Sequence, residues 1–144
     1  MTIETILCAI DVNRAADEAK VLQRAYRLAE LEGAQLDVIS VIPDYGMSVV
    51  GGFFKEGHTD DALKHAKTLM KEIVAKALGA EANDKVRHIV GVGTAYHEIL
   101  EVAEKDGADL IVLGAHRPDL KDYLLGPNAA RVVRHSNASV YVVR

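Results

Sequence analysis

The sequence predicts an α/β fold in which a parallel β-sheet is covered by helices on both faces. Three observations predict it: short aliphatic runs alternate with helical patterns, the runs are apolar almost throughout, and glycines close most of the helical stretches. Continuous apolar runs are typical of strands buried on both faces, and right-handed crossovers return each helix to one face or the other. A chain of 144 residues suits one domain, so we expect a single domain over residues 1–144.

The predicted strands share a run of aliphatic residues that a polar residue, a glycine or a proline brings to an end. In chain order they are TILCAI, LDVISVI, VRHIVGV, DLIVLG and SVYVV, at residues 5–10, 36–42, 86–92, 109–114 and 139–143.

The predicted helices have small or aliphatic residues at steps of three and four, with charged residues between them. The first has Ala15, Ala19 and Leu22 on one face and ends at Gly33. Thr94 is expected to cap the third. The four helices are predicted at residues 15–32, 59–78, 94–105 and 127–135. Residues 43–58 are rich in glycine and longer than ordinary connections, which predicts a lid-like segment.

Composition and charge exclude several classes of function. A formal net charge of −4 gives no general attraction to nucleic acid or to anionic membranes. No apolar run is long enough to span a bilayer, and the first residues lack the features of a signal peptide, so we expect a cytoplasmic protein. The single cysteine, Cys8, lies in an apolar run and is expected to be an inert core residue.

Common catalytic motifs are missing from the sequence. It has no P-loop, no G-x-S-x-G elbow and no histidine pair with metal-site spacing, and acidic residues scattered on helical faces are expected to be solvated. GVGTAY at 91–96 has Tyr96 where a dinucleotide fingerprint has its third glycine, so we interpret it as a turn.

The stretch GAHRPDLKDYLLGPNAA, at residues 114–130, predicts an anion site. Gly114 allows a close backbone approach at the end of a strand, Arg117 offers a cation, and Gly126 opens a helix whose free N–H groups can hold phosphate. Asp11 ends the first strand and could bind a ribose hydroxyl or a magnesium ion there. The alternative is an ordinary connection, with Pro127 at its favoured helix position.

Here the sequence resembles the universal stress protein family. The resemblance runs nearly end to end and rests on ILCAID, on DLIVLG, and on LLG followed by AARVVRHSNASVYVVR. It implies the adenine nucleotide alpha hydrolase-like fold, a five-stranded parallel sheet in the order 3-2-1-4-5 flanked by four helices. It also implies a homodimer or tetramer formed through the fifth strand, at Ser139, Val140, Tyr141, Val142 and Val143.

The resemblance further implies a stress-response protein that binds ATP, with or without magnesium, or a related adenine nucleotide at the ends of strands one and four. Asp11 would contact ribose or the metal. The family's site positions fall on Ala9, Asp11, Val41, Leu113, Gly114, His116, Arg117, Gly126, Pro127 and Asn128.

The chain departs from the family's ATP motif, G-x2-G-x9-G-[ST]. Arg117 replaces the second glycine, the spacer to Gly126 is one residue shorter, and Pro127 replaces the serine or threonine. We expect Arg117 and Asn128 to compensate, because a guanidinium can bind phosphate through two hydrogen bonds. Two alternatives remain: a family member that acts only as an interaction protein, and a slow ATPase or self-phosphorylating enzyme. No residue is an obvious general base, so no catalytic residue is assigned.

Overall fold

The computed structural model describes residues 2–43, 58–115 and 126–144, in which strands and helices alternate. The strands are β1 (Thr5–Ala9), β2 (Gln35–Ile42), β3 (Arg87–Val92), β4 (Leu110–Gly114) and β5 (Ser139–Val143). The helices are α1 (Ala15–Glu32), α2 (His58–Leu78), α3 (Ala80–Lys85), α4 (Ala95–Asp106) and α5 (Gly126–His135). A single 3-10 turn, Val12–Arg14, precedes α1.

The five strands form one parallel sheet in the order β3-β2-β1-β4-β5, which confirms the predicted fold. β1 is central, and its last residue, Ala9, lies level with Ile39 of β2 and with Leu113 of β4. The chain builds outward from β1 to β3 and then returns to add β4 on the other side of β1. The strand order therefore reverses between β1 and β4, the place where sheets of this kind bind ligands.

Each face of the sheet packs its own apolar core. Ile6 of β1 points to the face covered by α1 and α2, where Leu22 and Met70 are fully buried. Leu7 points to the opposite face, which α4 and α5 cover and where Ile99 is buried. Because neighbouring residues of β1 serve different cores, the strand has to be apolar throughout.

Two predicted helix stops are confirmed. Gly33 ends α1 and Gly107 ends α4, with φ of 65° and 66° respectively. A side chain in this left-handed conformation would be strained, which is why glycine is favoured there. After Gly79 the structure adds the short helix α3 to the four helices that the sequence predicts.

The buried row of α1 differs from the prediction. Ala15 is exposed, and the buried residues are Glu18, Val21, Leu22, Ala25 and Ala29. The helix begins at Ala15 as predicted, so the difference lies in which face packs on the sheet, and the buried row begins at Glu18, three residues later than the small residues indicate.

Two predicted segments lie largely outside the described residues. They are the lid-like stretch, of which Pro43 and His58 are described, and the loop between Ala115 and Gly126. Among the described helices, none combines the length and the apolar character needed to cross a bilayer.

Candidate functional site

A small cleft opens at the carboxyl edge of the sheet, where the ends of β1 and β2 meet the first turns of α4. Six apolar residues and one carboxylate line it: Ala9, Ile10, Asp11, Ile39, Val41, Ala95 and Ile99. The structure thus brings the predicted residues Ala9, Asp11 and Val41 together. It adds Ala95 and Ile99 of α4, which the sequence does not single out because nothing local shows that α4 reaches β1.

Asp11 is held in place at the edge of this cleft. Its side chain is 6% exposed, and its Oδ1 accepts a hydrogen bond of 2.9 Å from the backbone N–H of Asn13. Asp11 therefore caps the 3-10 turn that leads into α1, in the way that aspartate commonly caps helix starts. The carboxylate is ordered by the chain itself and does not depend on a ligand for its position.

Glu18, directly beside Asp11, is a second and unexpected acid at this edge. It is fully buried, and burial raises the pKa of Glu18 to about 8, with the Asp11 charge adding to the rise and Arg14 opposing it. Glu18 is therefore mostly protonated at neutral pH and adds little negative charge beneath the cleft. Burial also raises the pKa of the Cys8 thiol, followed by the effect of Glu18, so Cys8 stays protonated as a core residue.

The expectation that acidic residues on the helices are solvated is wrong for Glu18. A signal was present in the sequence, since Glu18 lies three, four and seven residues before Val21, Leu22 and Ala25. This spacing places it on the same face of the helix as those three residues.

β4 and α5 form the other side of the predicted site. Leu113 and Gly114 end β4 and are buried, and Leu113 pairs with Ala9 of β1. The structure describes Gly126 and Pro127 as the first residues of α5. His116 and Arg117 lie outside the described residues.

Asn128 joins the beginnings of two helices. It is 8% exposed, and its Oδ1 accepts a hydrogen bond of 3.2 Å from the backbone N–H of Tyr96. Tyr96 is the second residue of α4, the position whose N–H an N-cap side chain usually satisfies. Thr94, the expected cap, makes no capping hydrogen bond with its side chain. Asn128 therefore caps α4 from α5, which the sequence prediction of a phosphate contact does not foresee.

A cation–π contact supports the same junction. The Arg131 guanidinium of α5 lies 5.0 Å from the centroid of the Tyr96 ring. The wall of the cleft formed by α4 is thus fastened to the helix that begins at Gly126.

Three potential metal donors lie together on α4. Atoms of His97, Glu98 and Glu101 are within 4.8 Å of one another. Glu101 already forms an ion pair with Lys105, with 2.7 Å between Oε1 and Nζ, and the side chains of His97 and Glu101 are exposed. We interpret the group as a solvated ion-pair network.

Comparison with known proteins identifies the family. The model of the universal stress protein family matches residues 2–144. The chain belongs to the universal stress protein family. Universal stress protein G of Escherichia coli O157:H7 is 28% identical over 147 residues, covering 98% of this chain and 99% of that protein. Universal stress protein MJ0577 of Methanocaldococcus jannaschii is 33% identical over 87 residues, covering 60% of this chain and 50% of that protein.

Solved structures of the family share the fold. The structure of protein MJ0577 superposes with a TM-score of 0.74 at 27% identity, covering 99% of this chain and 96% of that one. A universal stress protein from Archaeoglobus fulgidus in complex with dAMP gives 0.64 at 22% identity, covering all of both chains. A further structure, of a universal stress protein in complex with cAMP, superposes with a TM-score of 0.65 at 19% identity, covering 100% of this chain and 98% of that one.

We predict that Glu18→Gln stabilises the protein at alkaline pH and has little effect near pH 5. The pKa of Glu18 is raised in the folded state from its ordinary value of 4.5 to about 8, so its contribution to stability is present at low pH and is lost as the pH rises toward 8. Thermal unfolding at pH 5 and at pH 8.5 measures this, with Glu32→Gln, at an exposed acid of the same helix, as the control. If Glu18→Gln raised the thermal stability equally at both pH values, the inference that Glu18 is protonated at neutral pH would be wrong.

We predict that Asn128→Ala lowers the free energy of unfolding by about 0.5–2 kcal/mol, the usual value of an N-cap. Asn128→Asp keeps the acceptor for the Tyr96 N–H and serves as the matched control. Thr94→Asn, added to Asn128→Ala, should restore part of the loss by capping α4 locally, as urea unfolding would show. If Thr94→Asn stabilised the unchanged protein just as much, the cap would not come from Asn128.

Proposed function

We propose that this universal stress protein binds ATP or a related adenine nucleotide at the carboxyl ends of β1, β2 and β4. The observation that carries the proposal is the apolar cleft with a single carboxylate at the point where the strand order reverses. The complexes of two fold neighbours with dAMP and cAMP support the choice of an adenine nucleotide.

In this proposal the residues that line the cleft form the floor on which the nucleoside lies, since the cleft itself, at about 10 Å³, has room for about one water molecule. The aliphatic side chains of Ile39, Val41 and Ile99 cover the faces of the base, and the backbone near Ala9 and Val41 supplies hydrogen bonds to its edge. Asp11 is the one carboxylate among the described lining residues, and it binds a ribose hydroxyl. One carboxylate also fits a magnesium ion, which proteins commonly hold through one or two carboxylates together with substrate phosphates.

The phosphates lie toward β4 and the beginning of α5. Leu113 and Gly114 end β4 beside β1, and the first N–H groups of α5 suit an anion. Pro127 has no N–H, so the positive charge of Arg117, with His116, is assigned the contact that the proline removes. The Asn128 carboxamide oxygen faces Tyr96, so its part in the site is to hold α4 and α5 together.

We propose a nucleotide-dependent binding or signalling module in the cytoplasm. Among the described lining residues Asp11 is the one group that could act as a general base, and in this proposal it is engaged by the ribose or the magnesium ion. Hydrolysis is therefore expected to be weak at most. The buried reduced Cys8 agrees with a cytoplasmic location.

We predict that the purified protein binds ATP at millimolar concentrations or below and that Val41→Arg abolishes binding by filling the cleft. Val133→Arg is the matched control, because Val133 is 53% exposed on α5. Asp11→Asn keeps the acceptor for Asn13 but removes the charge, and should weaken binding roughly tenfold, more so with magnesium. Isothermal titration calorimetry with and without Mg²⁺ measures these affinities, and Arg117→Ala tests the phosphate contact.

Two results would overturn this proposal. Absence of ATP binding by the unaltered protein would favour an interaction protein that uses no nucleotide. Equal affinity of the unaltered protein and Val41→Arg would place the nucleotide elsewhere. Incubation with γ-labelled ATP covers the enzymatic alternative, since rapid release of phosphate or labelled protein would establish catalysis.

We also propose that the protein forms a homodimer or tetramer through β5. β5 pairs on one side with β4 and is otherwise the edge of the sheet, so the other side can pair with a second copy. Tyr141 is 38% exposed there and gives this edge an aromatic side chain that can pack against a second copy.

We predict that Tyr141→Glu shifts the protein toward the monomer, because a charge at the centre of the edge opposes pairing with a like edge. Light scattering after size exclusion measures the mass of each variant. Leu31→Glu is the matched control, since Leu31 is 80% exposed on α1. If Leu31→Glu dissociated the oligomer and Tyr141→Glu did not, the interface would lie on α1.

A further inference from the structure

A separate cluster of charged residues lies between the first half of β2 and the end of α4, away from the nucleotide cleft. Asp37 of β2 is 1% exposed, and Asp106 is the last residue of α4. Arg87 of β3 lies beside both, with its Nη1 2.7 Å from Asp106 Oδ1 and 3.9 Å from Asp37 Oδ2. One guanidinium, itself largely exposed, therefore serves two carboxyl groups.

The two carboxyl groups need a proton between them. The Asp37 and Asp106 side chains are within hydrogen-bonding reach of each other, and two carboxyl groups can bond in this way only if one is protonated. Asp106 Oδ2 is buried, and no N–H or hydroxyl donor of the described residues reaches it. A proton on Asp37 supplies the donor that this oxygen lacks.

The surroundings of Asp37 do not neutralise a second negative charge. β1 presents the apolar Leu7 beside it, α4 presents Asp106, and β3 presents Arg87, which is closer to Asp106 than to Asp37. On its own strand, the Gln35 amide donates to Asp37 at 3.3 Å but also to the backbone carbonyl of Lys85 at 3.0 Å. Burial, followed by the contact with Asp106, raises the pKa of Asp37 from its ordinary 3.8 to about 7.

We propose that Asp37 and Asp106 share one proton and form a pH-sensitive latch that fastens the end of α4 to β2. At low pH the proton bridges the two groups. Because the pKa of Asp37 is raised in the folded state, the contribution of the latch to stability is lost as the pH rises from about 4 to about 7. Above that range both carboxylates are charged, and the last turn of α4 opens more often. The latch does not depend on nucleotide binding.

Asp37→Asn tests the latch, because an amide supplies a permanent donor to Asp106 and does not titrate. Thermal unfolding and hydrogen exchange of residues 103–106 are measured from pH 5 to pH 8 on the full chain. The difference between Asp37→Asn and the unaltered protein should be smallest at pH 5, the lowest pH measured. From pH 5 to pH 7.5 the opening equilibrium of the last turn of α4 in the unaltered protein should rise, relative to that in the variant, by a factor on the order of tens. The reason is that loss of one proton changes this equilibrium by up to about tenfold per pH unit below the folded-state pKa.

Other variants separate the latch from general effects of charge. Asp106→Asn should give the same pH-dependent gain and carries the test if Asp37→Asn fails to fold. Asp37→Asn combined with Asp106→Asn should gain no more stability at high pH than either substitution alone. Only one proton is shared, and the double variant also removes the charged partner of Arg87. Glu18→Gln, at the distant buried acid, should leave the exchange of residues 103–106 unchanged relative to global unfolding. If Asp37→Asn stabilised the protein equally at pH 5 and pH 7.5, the proposal of a latch would be overturned.

Discussion

The burial of β1 on both faces is the constraint on which the rest of the structure depends. Its side chains alternate between two cores, and its backbone pairs with β2 on one side and β4 on the other. A polar side chain between Ile6 and Ile10 would face one of the two cores, so after Thr5 at the start of the strand the next polar residue, Asp11, comes only beyond its end. The same constraint places Asp11 beside the ends of β2 and β4, and the candidate site follows from this position.

The sequence was sufficient to predict the strands and helices because the information for them is local, whereas the order of the strands came from the family resemblance. Runs such as TILCAI and DLIVLG predict buried strands without reference to the rest of the chain. Gly33 and Gly107 indicate helix ends because glycine readily takes the left-handed conformation found there. The sequence also predicted that Ala9, Asp11 and Val41 lie together, since all three are at or near the carboxyl ends of parallel strands, and their role in binding stays a prediction. The predicted roles of His116, Arg117, Gly126 and Pro127 stay predictions.

What the sequence could not predict depends on contacts between distant residues. Asn128 and Tyr96 are 32 residues apart, and a local rule assigns the cap of α4 to Thr94. Asp37 lies in a predicted buried strand, but nothing local shows that Asp106, at the end of a helix, reaches it. Glu18 is an intermediate case, since its spacing to Val21 and Leu22 was visible, but a preference for small residues placed the buried row on Ala15.

The two buried acids also change the charge that the folded protein presents to its surroundings. Glu18 and Asp37 both keep protons to a pH at which the unfolded chain has released them, since burial raises the pKa of Glu18 to about 8 and that of Asp37 to about 7. Folding at neutral pH therefore takes up protons from the solution. At neutral pH these two side chains therefore carry less negative charge in the native molecule than the formal net charge of −4 assigns to them.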